Sequence, residues 1–449
     1  MSKQKIQLSD HFNYSRLLRF VLPCVGTMLF TSIYGIVDGL CVSNFVGKTA
    51  FAAVNLIMPV PMLVGSVGFM LGTGGSAIVG ITLGEGDQKK ADRYFTLFLL
   101  AALVSVSVLA VLGIVFLRPI AVLLGAKGEL LDYAVRYGRI LMVSLPTFAL
   151  QNMFQSFFVT AEKPHLGFWF TVGAGCTNMV LDVLMVGIWG WGVEGAAIAT
   201  FISQLVGGVL PVFYFIDRSN SSRLHLCKTS FYSKVLRDAC INGSSELMTN
   251  LSMSLVNILY NYQLLRLAGE NGVAAYGVIM YAAFLFVAVF VGYAVGSAPI
   301  VSFHYGARNH AEVHNLYRKS LRLIAVVAVT LTLASMFIIP CVARIFVGYD
   351  AELLALTSRA FRLYALSFLI MGFNVYASSF FTALGDGVTS ALISFLRTLA
   401  FQVIAILLLP MLLGIDGIWL AVTAAELAAL AVSAAMLLTK DKVFHYRKA

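Results

Sequence analysis

The stretch TNMVLDVLMVGIWGWGVEGAAIAT, from Thr177 to Thr200, combines a long apolar run with a few polar residues inside it. Asp182 stands in a run that is otherwise almost wholly apolar, with Asn178 four residues before it. The chain has 449 residues, of which 59% are hydrophobic and 12% charged, and its mean hydropathy is +0.88. Because a soluble protein has about a quarter charged residues, the composition predicts an integral membrane protein.

Apolar runs long enough for a spanning helix of about 20 residues follow one another along the whole chain. Membrane strands would show as segments of about ten residues with alternating polarity, and no such alternation is present. Since the bilayer core offers no water to the backbone, continuous helices remain. The runs are centred near residues 30, 63, 105, 146, 175, 203, 254, 288, 331, 371, 401 and 428. We predict an all-α integral membrane fold with about 12 transmembrane helices.

The net charge of +10 is distributed as a membrane topology requires. With the N-terminus placed inside, the inside segments hold 21 of the 31 Lys and Arg residues and the outside loops hold 9, while Arg397 lies within a span. The positive-inside rule therefore predicts that both termini are cytoplasmic and that the protein is multi-pass in the cytoplasmic membrane. The basic balance is explained by topology, so no nucleic-acid partner is predicted. No cleavable signal peptide and no cysteine pair with metal-ligand spacing is visible.

The two halves of the chain resemble each other at a near-constant offset of about 222 residues. Six spans per half is an even number, so both halves start on the same side, as in parallel repeats related by an axis along the membrane normal. Transporters of this build hold their substrate between the halves. The matched pairs are WGVEGAAIAT (Trp191–Thr200) with LGIDGIWLAV (Leu413–Val422), FFVTAEKP (Phe157–Pro164) with SFFTALGDG (Ser379–Gly387), and GITLGEGDQKKA (Gly80–Ala91) with SFHYGARNHAEV (Ser302–Val313).

The longest polar interval, residues 217–238, divides the chain near its middle. We predict an N-terminal lobe at residues 1–216, a cytoplasmic inter-lobe loop at 217–238 and a C-terminal lobe at 239–449. The alternative is a single bundle with coincidental glycine-rich turns.

Ionisable residues within spanning helices are costly and therefore functional by default. Counting from the ends of their spans at 1.5 Å per residue, Asp38, Asp182 and Thr200 all lie roughly 10–15 Å below the outer surface. Asp38 and Asp182 also lie on polar stripes with helical spacing, and Asn178 shares the stripe of Asp182. Two carboxylates, an amide and a hydroxyl at one level predict a coupling site for H⁺ or Na⁺. The alternative is that Asp182 only hydrogen-bonds neighbouring helices.

Arg397 and Glu426 lie near the midplane on successive spans of the second half. They are interpreted as a buried ion pair that offsets two insertion costs, or alternatively as a second proton or substrate site.

A polar and aromatic set in the remaining spans predicts a substrate cavity. Glu246 begins a stripe with Asn250 and Asn257, which is explained equally well by a water-filled cavity or by a packed helix interface. In a cavity Glu246 would attract a cationic substrate, and aromatic faces bind organic cations. The predicted cavity residues are Tyr34, Glu246, Asn250, Asn257, Tyr260, Tyr281, Phe284 and Asn374.

These features resemble the multidrug and toxic compound extrusion (MATE) family over nearly the whole chain. The resemblance rests on Pro23 followed by SIYGIVDGLCVSNFVG with Asp38, on AAVNLIMPV (Ala52–Val60), on TLGEGDQKKA, and above all on the block from Thr177 to Thr200.

The resemblance implies export of organic, often cationic, compounds driven by entry of H⁺ or Na⁺. The family's coupling site would correspond to Asp38, Asn178, Asp182 and Thr200, with Na⁺ binding possible at the first three. Some members carry an acid on the tenth helix, where this chain has Asn374, and this argues against a second Na⁺ site. A transporter of this kind needs no cofactor, and a monomer is the default expectation.

Three rival functions are weighed against export. A flippase for lipid-linked substrates would line its cavity with cations, but Arg397 is the only strong intramembrane candidate. An intramembrane enzyme would need a nucleophile and a base at one depth, and none is evident. A channel would need a symmetric ring of acids, which the two halves do not supply.

Overall fold

The structure is a computed structural model that describes residues 6–348 and 350–447. All regular secondary structure in these two ranges is helical. The elements are α1 (Tyr14–Phe45), α2 (Lys48–Ile57), α3 (Pro59–Gly84), α4 (Gln88–Leu123), α5 (Gly128–Thr160), α6 (Pro164–Asp182), a π-helical segment (Val183–Ile188), α7 (Gly192–Gly208), α8 (Leu210–Ile216), α9 (Ser233–Gly306), α10 (His310–Val347), α11 (Ala351–Ala365), α12 (Phe368–Ala383), α13 (Gly387–Phe395), a second π-helical segment (Leu396–Ala400), α14 (Phe401–Leu413), α15 (Ile415–Thr439) and α16 (Asp441–Phe444).

Nine helices of the described chain are long and apolar enough to cross a membrane. The helices α11 and α12, which meet at a bend of 46°, together form a tenth candidate span. The 74-residue α9 is two crossings, because Gly269 interrupts it with a φ of 61° and each part is longer than a bilayer needs. The 33-residue α5 packs against α3, α4 and α7 and completes the bundle. The prediction of an all-α membrane fold with about twelve crossings is confirmed.

Three buried apolar clusters show how the helices are grouped. One contains residues from both halves of the chain, among them Phe95, Phe157, Phe303 and Phe380. A second draws only on residues 256–422, and a third only on residues 50–197. The halves therefore share a core at one end of the bundle and have separate cores at the other, which is the form of two lobes splayed from a common base.

Glycines bring the backbones of the lobes into contact at that base. A Cβ on Gly84 would lie 2.0 Å from the carbonyl oxygen of Phe303, and a Cβ on Gly306 would lie 2.1 Å from that of Ile81. Only glycine permits so close an approach. Gly84 and Gly306 are 222 positions apart, and so are Ile81 and Phe303, so the two contacts are reciprocal.

The same seam reveals where the axis between the lobes passes. Gly80 and Ser302, themselves 222 positions apart, face each other, since a Cβ on Gly80 would lie 2.8 Å from the Ser302 Cβ. A residue that meets its own counterpart lies on a two-fold axis. The seam is therefore built like the self-complementary interface of a dimer, and this structural relation accords with the internal duplication.

The segment between the lobes is held on the N-terminal one. The His225 amide donates to Asp92 Oδ1 at 3.0 Å, and the Cys227 amide donates to Thr96 Oγ1 at 3.1 Å. The helix α9 begins at Ser233, so residues 233–238, which we predicted as loop, are helical. Their polarity marks the end of the membrane span and not the end of the helix. The division into lobes at residues 216 and 239 stays an interpretation, and the first five residues, Tyr349 and the last two residues lie outside the described part.

Candidate coupling site and substrate cavity

Asp182 is the last residue of α6 and directly precedes the first π-helical segment. Its side chain is fully buried, and Asn178, one turn earlier, is 1% exposed. Both residues point away from solvent because α6 packs between α1 and α7. A π-helical turn often accompanies a functional site.

Asp38 approaches Asp182 from α1, and the two carboxyl groups lie within hydrogen-bonding range of each other. Nevertheless, three carboxyl oxygens receive no hydrogen bond from the described residues: both oxygens of Asp182 and Oδ1 of Asp38. Two carboxylates are acceptors only, so they cannot bond to each other without a proton. The geometry therefore leaves room for one shared proton, or for a cation held by hard oxygen ligands.

Further buried polar atoms without a hydrogen-bond partner in the described chain lie on the helices around this pair. Asn178 Nδ2 and Thr200 Oγ1, both predicted from the sequence, are among them. Tyr137, which we did not predict, is fully buried on α5 with its hydroxyl unpartnered, and it is an electrostatic neighbour of both Asp38 and Asp182. Its sequence context, YAVRYGR, contains two arginines, as is typical of the end of a membrane span. Nothing in it indicates a tyrosine buried next to the acidic pair.

Tyr34, predicted to line the substrate cavity, instead packs within the N-terminal lobe. A Cβ on Gly175 of α6 would lie 3.0 Å from the Tyr34 ring, so the small residue lets α1 and α6 close together next to the acidic pair. The residue that we assigned to substrate thus belongs to the wall between those two helices.

In the C-terminal lobe the structure brings Arg397 and Glu426 together. Arg397 Nη1 lies 3.4 Å from Glu426 Oε1, and Glu426 is 1% exposed. Asn374 Nδ2 donates to Glu426 Oε2 at 2.7 Å, and the Ser433 hydroxyl donates to Asn374 Oδ1 at 2.9 Å. Asn374 therefore lies behind the carboxylate and does not face the cavity, because its amide is fully engaged in holding Glu426.

A cavity of about 320 Å³ lies between the lobes and is lined largely by the C-terminal one. Of the predicted residues, Glu246, Asn257, Tyr260 and Phe284 are in its wall, together with Arg397 and Glu426. Asn250 and Tyr281 are not among its lining residues: the Asn250 amide donates to the Glu246 carbonyl at 2.9 Å, and Tyr281 is 39% exposed.

One wall of the cavity is aromatic. The Tyr260 and Tyr276 rings are stacked with centroids 4.9 Å apart, and the Tyr276 hydroxyl donates to Asn257 Oδ1 at 2.7 Å. Met253, Met280 and Met371 complete the lining. Such a surface offers π-faces to a cation and adaptable side chains to ligands of differing shape.

Fold and site together define a two-lobe α-helical membrane transport protein, with an inter-lobe cavity and a separate pair of acids. A sequence model of the MatE family matches residues 23–184 and, a second time, residues 247–408, so each lobe carries one copy. The chain therefore belongs to the MatE family of transporters, and it is not an enzyme.

Relatives and solved structures agree over the full length. The multidrug export protein MepA of Staphylococcus saprophyticus is 21% identical over 436 residues, which are 96% of this chain and 95% of the relative. MepA of Staphylococcus aureus is likewise 21% identical over 432 residues, with the same coverage. A MATE crystal structure in complex with MaL6 superposes with a TM-score of 0.92 at 23% identity, and an outward-facing multidrug resistance MATE transporter of the MOP superfamily with 0.91 at 23%; both cover 100% of each chain.

Proposed function

We propose that this protein is a secondary active multidrug exporter that moves organic, often cationic, compounds out of the cell in exchange for H⁺ or Na⁺. The observation that carries the proposal is the facing pair Asp38 and Asp182, three of whose four carboxyl oxygens are buried without a donor in the described chain. Such a pair holds a proton or a cation readily and releases it when the helices that carry it move apart.

The charge of the cavity supports a cationic substrate. The cavity wall carries two carboxylates, Glu246 and Glu426, and one guanidinium, Arg397, which is paired with Glu426 and is an electrostatic neighbour of Glu246. One uncompensated carboxylate next to stacked tyrosines favours a flat organic cation. The full-length relatives named as multidrug export proteins support the same substrate class.

The splayed form supports alternating access. The lobes are closed at the glycine seam and have separate cores at the other end, as expected of a transporter open on one side. In the proposed cycle, uptake of the ion by Asp38 and Asp182 from outside favours movement of α1 and release of drug. Return of the lobes then delivers the ion to the cytoplasm.

The end of the bundle with the seam is proposed to be cytoplasmic, because the Lys and Arg residues are concentrated in its loops. Green fluorescent protein fused after the C-terminus should therefore fluoresce, and alkaline phosphatase at the same place should be inactive. Active phosphatase would reverse the orientation.

Ethidium efflux from energised cells tests the proposal with Asp38→Asn, Asp182→Asn and the control Asp132→Asn, which changes an exposed acid of the same lobe. We expect both buried variants to reach the membrane but lose efflux, while the control exports normally. A proton uncoupler and Na⁺-free buffer identify the ion. Near-normal efflux in both buried variants would refute the coupling site. Absence of efflux from the wild type would favour a flippase for lipid-linked or other specialised amphipathic substrates.

A further inference from the structure

A second cavity, distinct from the one between the lobes, opens where the first turns of α1 meet the start of α6. Its volume is about 920 Å³. It lies at the end of the bundle that carries the glycine seam, beside the short N-terminal segment that precedes α1. Neither the coupling pair nor the substrate cavity contributes a residue to its wall.

The polar part of this cavity carries excess positive charge. Arg16, Arg19 and His165 line it, and neither arginine forms an ion pair with a carboxylate in the described ranges. Within the described residues, the Arg16 guanidinium donates one hydrogen bond, from Nη1 to the His11 carbonyl at 3.1 Å, and its other N–H groups are left for a ligand.

Two acids also line the cavity, and each is already engaged. Glu162 Oε1 accepts from the Leu8 amide at 2.9 Å and from Arg223 Nη1 at 2.5 Å. Asp10, at the rim, accepts from the Gln7 amide at 3.1 Å. With Glu162 offset by Arg223, the two arginines outweigh Asp10.

The opposite wall is apolar and continues into the side of the bundle. Leu22, Pro23 and Phe168 form it. The cavity ends where the helices close, since a Cβ on Gly26 would lie 3.0 Å from the Phe168 ring. Leu22 is 56% exposed and the neighbouring Trp169 is 64% exposed, which is the surface of a helix that faces lipid.

We propose that this cavity binds an anionic phospholipid of the surrounding leaflet. The phosphate would lie between the Arg16 and Arg19 guanidinium groups, which suit bidentate binding of phosphate oxygens. One acyl chain would follow Leu22 towards Phe168. Basic pockets between spanning helices at the cytoplasmic interface are suited to anionic headgroups, and the apolar wall makes the ligand a lipid and not a soluble phosphate. The proposal does not depend on what the protein exports.

The test uses the full-length protein purified in detergent, with dioleoylphosphatidylglycerol, dioleoylphosphatidylcholine or inorganic phosphate added. Lipid retention is counted by native mass spectrometry, and the melting temperature is followed by tryptophan fluorescence. The variants are R16Q/R19Q and, as a matched control that removes two exposed arginines of α10, R318Q/R322Q. Because Arg19 is exposed, R19Q alone serves as a second variant that keeps the fold.

We expect phosphatidylglycerol to bind and to raise the melting temperature of the wild type and of R318Q/R322Q. Since each basic residue near an anionic lipid surface strengthens binding about fivefold, R19Q should weaken it about fivefold and R16Q/R19Q about 25-fold. Equal binding to all variants would overturn the proposal, as would equal stabilisation by phosphatidylcholine. Stabilisation by inorganic phosphate as large as that by the lipid would show an anion site without a lipid.

Discussion

Arg397 and Glu426 are two charges that the membrane interior tolerates only as a pair. Removing one partner of a buried ion pair costs about 3–5 kcal/mol, because the other charge is left uncompensated. The pair is also tied to the helix behind it, since Asn374 donates to Glu426 at 2.7 Å. Arg397 and Glu426 also line the substrate cavity, so an experiment has to distinguish their contribution to stability from their contribution to transport.

A double-mutant cycle makes that separation. E426Q and R397Q should each lower the melting temperature strongly, and R397Q/E426Q should recover much of the loss because no unpaired charge remains. Thermal melts of purified protein measure this, with R359Q as the control, since the Arg359–Asp416 pair is exposed and its loss should cost about 1 kcal/mol or less.

Efflux by the double variant gives the second readout. Recovered export together with recovered stability is expected of a structural pair. A stable double variant without export would assign the pair to a second proton or substrate site. Additive losses in the cycle would contradict the pairing itself.

For single residues, the sequence predicts the depth in the membrane better than it predicts which way a side chain faces. The levels of Asp38 and Asp182 follow from counting residues, because the rise of a helix is constant, and the structure brings the two together. The neighbourhood of Tyr137 could not be predicted, since it depends on how α5 rotates against α1. Asn250 and Tyr281 share α9 with the cavity wall but are not among its lining residues, and helical spacing alone does not distinguish them from those that are.

The elements are shaped by interruptions that hydropathy does not reveal. The π-helical segment Val183–Ile188 follows α6, and Leu396–Ala400 lies between α13 and α14, the corresponding span of the other lobe. Counted from the start of each span, the second segment comes about ten residues earlier than the first. A π-turn changes which side chains face inward beyond it. The lobes consequently present different polar sets, with Asp182 at one segment and Arg397 within the other.

The helices of the seam depend on the absence of side chains. A Cβ on Gly243 of α9 would lie 1.9 Å from the Met70 carbonyl oxygen, whereas one on Gly277 of the same helix would meet nothing within 4 Å. We therefore expect G243V to lose ethidium efflux and to melt several degrees lower, since overpacking costs about 1–3 kcal/mol or more.

G277V is the matched control, because it makes the same change on the same helix. Its efflux and melting temperature should stay near those of the wild type. If the two variants behaved alike, the close approach of α3 and α9 would not be required for transport.

As a whole, the molecule is held by one shared core and two separate ones. The last described hydrogen bond between the inter-lobe segment and α4 is made by Thr229. A cut after Ser230 therefore leaves these hydrogen bonds within one fragment, while the ring contact of Tyr232 with Tyr94 would join the two fragments. Residues 1–230 and 231–449 expressed together should copurify through a tag on one of them and should restore efflux. Halves that purify separately would show that the covalent link, and not the seam, keeps the lobes together.

The reciprocal seam also has an evolutionary consequence. Contacts that occur twice, with Gly84 against Phe303 and Gly306 against Ile81, are those that two identical half-length chains would make with each other. An ancestor of that size could have worked as a homodimer, with every polar residue present on both sides. Fusion of two such genes would let each copy change alone, which accounts for one lobe carrying a pair of acids and the other an arginine and a glutamate.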